Sequence, residues 1–133
     1  MTSVPAGGPL NILIVDDDPQ LSRLLATWIG KSGHLVETAP NGRAALRIAE
    51  ARHVDAALVD IIMPEMEGLE TIIELRRRLP QARLVAMSGG GRVGPDEFLR
   101  LARSFGAAGV LKKPFRLQDA LEALSGPRPA AAA

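Results

Sequence analysis

The chain has 133 residues, 47% of them apolar, with 16 Lys plus Arg against 15 Asp plus Glu. Such a balance gives no support to direct nucleic-acid binding, which needs a concentrated basic excess. There is no cysteine, so disulfides, thiolate catalysis and Cys-ligated metals are excluded. No stretch is long or charge-free enough to cross a bilayer, and residues 1–9 carry neither a basic segment nor an apolar run for export. The expectation is one cytoplasmic domain with no membrane contact.

Gly and Pro crowd residues 1–9, an expected mobile tail. Leu10 to Val15 reads as a first strand that runs into Asp16-Asp17-Asp18-Pro19. Proline suits the first turn of a helix and makes Asp18 its N-cap, which leaves Asp16 and Asp17 as carboxylates that capping does not need. Leu21, Leu24, Leu25 and Trp28 recur at helical spacing until Ser32-Gly33, and Trp28 reads as core. His34 to Thr38 is a second strand. A turn at Pro40-Asn41-Gly42 leads to a helix from Arg43 to Ala51, with Ala45, Leu46 and Ala49 inward.

Asp55 to Asp60 is the third strand, an apolar run closed by one carboxylate and followed by a turn containing Pro64 and Gly68. A third helix starts near Gly68, with Leu69, Ile72 and Ile73 on one face. Arg76, Arg77 and Arg78 complement its negative end. Arg83 to Met87 is the fourth strand, closed by Ser88 and the glycine-rich residues 89–94. A fourth helix from Pro95 carries Phe98, Leu101, Ala102 and Phe105. Ala107 to Lys112 is the fifth strand, ending at Lys113-Pro114-Phe115. A fifth helix carries Leu117, Ala120, Leu121 and Leu124. Strands alternating with helices give an α/β fold, a parallel sheet covered on both faces. The divisions expected are a tail at 1–9, one domain at 10–125 and a tail at 126–133. His34 and His53 have no ligand partners at sensible spacing and read as ordinary residues.

Four strand ends carry the chemistry: Asp16 and Asp17, Asp60, Ser88, and Lys113. If the strand order is 2-1-3-4-5, the first and third strands are neighbours where the winding reverses, and a crevice is expected there. Three carboxylates meeting there repel one another unless a cation joins them. Only oxygen ligands are offered, so Mg²⁺ fits best. A hydroxyl and an ammonium beside Asp60 could hold the oxygens of an anionic group. The set suits phosphoryl transfer by positioning and charge neutralisation.

From Leu10 to Leu124 the chain resembles response-regulator receiver domains of two-component signalling, of the stand-alone type. The motifs are Ile-Val-Asp-Asp-Asp-Pro, Leu-Val-Asp-Ile-Ile-Met-Pro-Glu-Met-Glu-Gly, Met-Ser-Gly and Leu-Lys-Lys-Pro-Phe, in the family's order and spacing. The resemblance implies a doubly wound, flavodoxin-like α/β fold: a five-stranded parallel sheet of order 2-1-3-4-5 flanked by five helices. It implies that Asp60 accepts a phosphoryl group from a phosphohistidine of a histidine kinase or histidine phosphotransfer protein. Asp16, Asp17, Asp60 and the backbone carbonyl of Ile62 would hold Mg²⁺. Ser88 would donate to the aspartyl phosphate, and Lys113, with a bond to Pro114 that is often cis, would pair with it. Lys112 should point away, because side chains alternate along a strand. The implied protein is a phosphoprotein, not an enzyme beyond its own phosphotransfer and dephosphorylation. It would be a monomer or weak dimer that signals by docking to a downstream protein.

Two departures stand out. Val110 occupies the place where the family commonly has an aromatic residue, and a β-branched side chain cannot reproduce an aromatic swing. The expected switch is therefore the segment Gly89 to Gly94, drawn in by Ser88, with output through the fourth helix, fifth strand and fifth helix. Three alternatives compete. One is a receiver-fold adaptor that works without phosphorylation, which leaves the retained site residues unexplained. Another is a Mg²⁺-dependent phosphohydrolase using Asp16 and Asp18, for which there is no room for a cap. A dinucleotide site at Gly89–Gly94 would lie after the wrong strand.

Overall fold

The computed structural model describes residues 8–61, 67–88 and 95–127, the side chains at 67 and 95–99 aside. In chain order the elements are β1 (Asn11–Val15), α1 (Pro19–Lys31), β2 (Leu35–Ala39), α2 (Gly42–Ala51) and β3 (Ala56–Asp60). There follow α3 (Glu67–Arg78), β4 (Arg83–Ser88), α4 (Pro95–Ser104), β5 (Gly109–Lys112) and α5 (Leu117–Leu124). All four strand pairings are parallel, and the order is β2-β1-β3-β4-β5. This is the expected doubly wound sheet with five helices. Each strand boundary differs from the sequence reading by two residues at most.

The three central strands are buried on both sides, and their alternate residues feed two separate cores. Leu13, Val15, Ala57, Val59, Leu84 and Ala86 join Ala45, Ile72, Leu75 and Ala102 of α2, α3 and α4. Ile12, Ile14, Leu58, Val85 and Met87 join Leu25, Ile29, Ala120 and Leu124 of α1 and α5. The period-two alternation of a strand puts successive residues into opposite cores, which is why these strands read as unbroken apolar runs.

Most helix ends follow local rules. Asp18 caps α1, accepting from the backbone N–H groups of Gln20 (3.0 Å) and Leu21 (3.4 Å), with Pro19 at the first helical position. Asn41 caps α2 through Ala44 N–H at 2.9 Å. Three apolar helix assignments fail. Leu24 is 54% exposed, Leu101 41% and Ile73 36%. The buried stripe of α1 is Ser22, Leu25 and Ile29, and Leu24 lies roughly 120° round the helix from its centre. Trp28 is half-buried against the α1/α5 core. Val110 is half-buried too and, like Phe105, packs against the other core. The Phe98 side chain, the Ile62 carbonyl and the segment Gly89 to Gly94 lie outside the described residues.

Candidate functional site

The site is assembled from the C-terminal ends of three strands. β1 delivers Asp16, which is 2% exposed, and then Asp17 at the surface. β3 delivers Asp60, 4% exposed. The two strands are direct neighbours, with Val15 opposite Val59. One carboxylate oxygen each from Asp16, Asp17 and Asp60 lie within 4.8 Å of one another. On the far side of β3 is β4, where Met87 stands opposite Asp60 and Ser88 follows, buried, at the same edge.

Lys113 enters from beyond β5. The register pairs Ser88 with Lys112, and the Lys113 backbone N–H donates to the Ser88 carbonyl at 2.7 Å. Lys112 is exposed, whereas the Lys113 ammonium reaches inward and donates to Asp16 Oδ2 at 2.9 Å and Asp60 Oδ2 at 3.1 Å. The Lys113–Pro114 bond is cis. Burial alone would lower the lysine pKa. The hydrogen bond it donates to Asp16 and the charge of Asp60 outweigh burial and hold it above its ordinary value.

The sequence reading singled out five residues at strand ends, and all five lie at one edge of the sheet. Asp18 is not among the clustered carboxylates; its side chain is committed to capping α1. The Asp16 Oδ1 accepts from Asp18 N–H at 2.9 Å, so both oxygens of Asp16 are engaged within the protein. Among the described residues the cluster sets three carboxylates, Asp16 and Asp60 buried and Asp17 exposed, beside the one ammonium of Lys113, an excess of negative charge that suits a divalent cation with oxygen ligands. A cavity of about 450 Å³ opens beside Asp16 and Asp17, bounded by Pro19 and Ser22 of α1 and by Thr38 and Pro40 after β2.

Gly68 was legible only as a helix start, yet it is part of the site's construction. It stands in the first turn of α3 so close to the Asp60 carbonyl and Ile61 Cα that a Cβ would overlap that backbone. The glycine lets α3 press against the strand end that carries Asp60. Its place eight positions after the carboxylate was the available signal.

A doubly wound α/β domain with three carboxylates, a hydroxyl and a lysine at its switch-point edge belongs to the class built to handle an anionic group with a cation. The comparisons make this specific. Residues 12–125 match the response regulator receiver domain model, and the chain belongs to that family, the receiver domains of two-component systems. The transcriptional regulatory protein TcrA of Mycobacterium tuberculosis is 34% identical over 125 residues, which cover 90% of this chain and 48% of that protein. The photosynthetic apparatus regulatory protein RegA of Cereibacter sphaeroides is 32% identical, covering 89% of this chain and 62% of that one. The chain thus spans about half the length of these curated relatives.

Among solved structures, the Vibrio cholerae chemotaxis protein CheY4 superposes with a TM-score of 0.78 at 27% identity, covering 88% of this chain and 97% of that one. A Burkholderia pseudomallei response regulator, described with a phosphorylated aspartic acid, a calcium ion and citrate, gives 0.79 at 28% identity, covering 87% and 66%. Phosphorylation and Mg²⁺ are general properties of receiver domains. Among the described residues no helix is long and apolar enough to cross a membrane.

Proposed function

We propose that this chain is a phospho-accepting response regulator whose acceptor is Asp60. The observation that carries the reading is the Lys113 ammonium bridging Asp16 and Asp60 inside the carboxylate cluster. A lone turn-forming aspartate needs no such neighbours. In the proposed reaction a carboxylate oxygen of Asp60 attacks the phosphorus of a phosphohistidine. The new bond is O–P, the P–N bond breaks, and its electron pair leaves with the imidazole nitrogen. The product is an acyl phosphate.

Asp16, Asp17 and Asp60 would hold Mg²⁺, and the Ile62 carbonyl completes the set the resemblance implies. When bound, the cation would offset the repulsion between the Asp60 carboxylate and an incoming dianionic group. Asp16 and Asp60 present the edge, and Asp17 stands at its open side. Lys113 exchanges a carboxylate partner for a phosphoryl oxygen, which keeps its ammonium paired throughout. Ser88 donates its hydroxyl to another phosphoryl oxygen. The partners proposed are a histidine kinase or histidine phosphotransfer protein upstream and a docking protein downstream. The working unit is residues 10–125.

Incubation of the protein with acetyl phosphate and Mg²⁺, followed by intact mass, tests the reading. The wild type should gain one phosphoryl group, and Asp60→Asn or chelation of the cation should prevent it. Equal labelling of Asp60→Asn would remove Asp60 as the acceptor.

A further inference from the structure

Helix α5 ends without a basic residue in its last turn, although the last carbonyls of a helix lack partners and attract positive charge. The cation arrives from another element. Arg83, the first residue of β4 and 40 positions earlier, donates from Nε to the Ala123 carbonyl at 2.6 Å. Its Nη1 donates to the Pro127 carbonyl at 3.0 Å. Gly126 lies against the guanidinium so closely that a Cβ there would overlap it. The Arg83 backbone is itself fixed, its N–H donating to the Asp55 carbonyl at 3.0 Å. One guanidinium therefore joins the sheet to the end of α5, in a seat that Gly126 leaves open.

The same strand ends at the candidate site. Leu84 to Ser88 are all buried, Met87 stands opposite Asp60, and the Met87 carbonyl accepts from Ile61 N–H at 3.0 Å. A strand packed on both faces at crystal-like density has no free space in which to bend, so a displacement at one end is passed to the other. We propose that Arg83 is a coupling residue: it transmits the state of Asp60, through β4, to the C-terminal end of α5. The proposal rests on the phospho-acceptor reading above. In it, a pull on Ser88 toward a phosphoryl group shifts β4 along its axis, and Arg83 carries that shift to the Ala123 and Pro127 carbonyls.

Hydrogen exchange of the full chain, with and without beryllofluoride and Mg²⁺, tests the coupling. In the wild type, amides 121–126 should change exchange rate on loading, together with those around Asp60. Arg83→Met keeps the stem and removes the fork, and Arg83→Lys keeps the charge but cannot hold both carbonyls. Each variant should load beryllofluoride as the wild type does and exchange faster at 121–126, by about tenfold for the methionine variant. In both, these amides should no longer respond to loading. If Arg83→Met does not fold, Arg83→Lys carries the test. A clamp that merely held α5 in place would speed exchange equally in both states and preserve the loading difference, and that result overturns the coupling. A wild-type response confined to the Asp60 edge overturns the coupling alone. No response anywhere, with no protection of Asp60, overturns the phospho-acceptor reading and the coupling with it.

Discussion

Two adjacent lysines follow one another at the end of β5, and only one is chemically placed. Alternation along the strand sends Lys112 to solvent and Lys113 inward, and the ammonium of Lys113 meets two carboxylates that are almost fully buried. The pair interacts more strongly there than at an open surface, because less water screens it. Its raised pKa keeps the lysine charged through the physiological range. Replacing Lys113 with Met should lower the initial rate of phosphorylation by acetyl phosphate at least about tenfold, by analogy with losing one donor to a developing anion. Lys112→Met should leave the rate within about twofold. Rates read from phosphate-affinity gels decide the matter, and equal losses in the two variants would mean that Lys113 has no special role.

Between elements, the close contact is that of α3 with the end of β3. Gly68 permits it, and the obstacle to any larger residue is backbone, which cannot rotate away. Gly68→Ala should therefore destabilise the domain by about 3 kcal/mol, the upper part of the usual overpacking range. A shift in the denaturant midpoint with an unchanged slope measures it. A loss below about 0.5 kcal/mol would show that α3 can retreat without resistance. The other end of α3 divides its three arginines. Arg76 donates to the Leu79 carbonyl at 3.0 Å and also to that of Ala82, closing the helix end as expected. Arg77 and Arg78 instead pair with Glu74, and Arg78 also with Glu50 of α2. These pairs are solvent-exposed and contribute little.

Stability of the whole molecule should depend on pH through His34. It is 6% exposed, and its Nδ1 accepts the Leu10 N–H at 3.0 Å, at the start of β1. Protonation would set two N–H groups against each other. Burial pushes its pKa below the ordinary 6.5. In the unfolded chain His34 gains a proton near 6.5, while the folded chain resists until lower pH, so the unfolded state binds more protons between the two values. The stabilisation is present above 6.5 and is lost as pH falls from there toward the folded value. Urea midpoints measured from pH 7.5 to 5.5 should fall more steeply for the wild type than for His34→Asn, which keeps an acceptor near the same place. Parallel curves would show that this imidazole does not set the acid limb.

The sequence by itself determined the alternation of five strands and five helices, because apolar runs, proline and asparagine signals and helical spacing are local features. It also determined which residue types stand at the strand ends, so Asp16, Asp17, Asp60, Ser88 and Lys113 could be singled out without coordinates. Burial along helices was less legible. Leu24 and Leu25 are adjacent and chemically identical, and only the packing of α1 against the sheet decides which one water reaches. Tertiary structure alone decided that Lys113 bridges two carboxylates, that Gly68 lies against the Asp60 backbone, and that Arg83 serves the end of α5. Each joins residues from separate elements, and no local propensity records where a chain folds back. The strand order is of the same kind, since hydrophobic pattern states that a strand is buried and not which strand lies beside it.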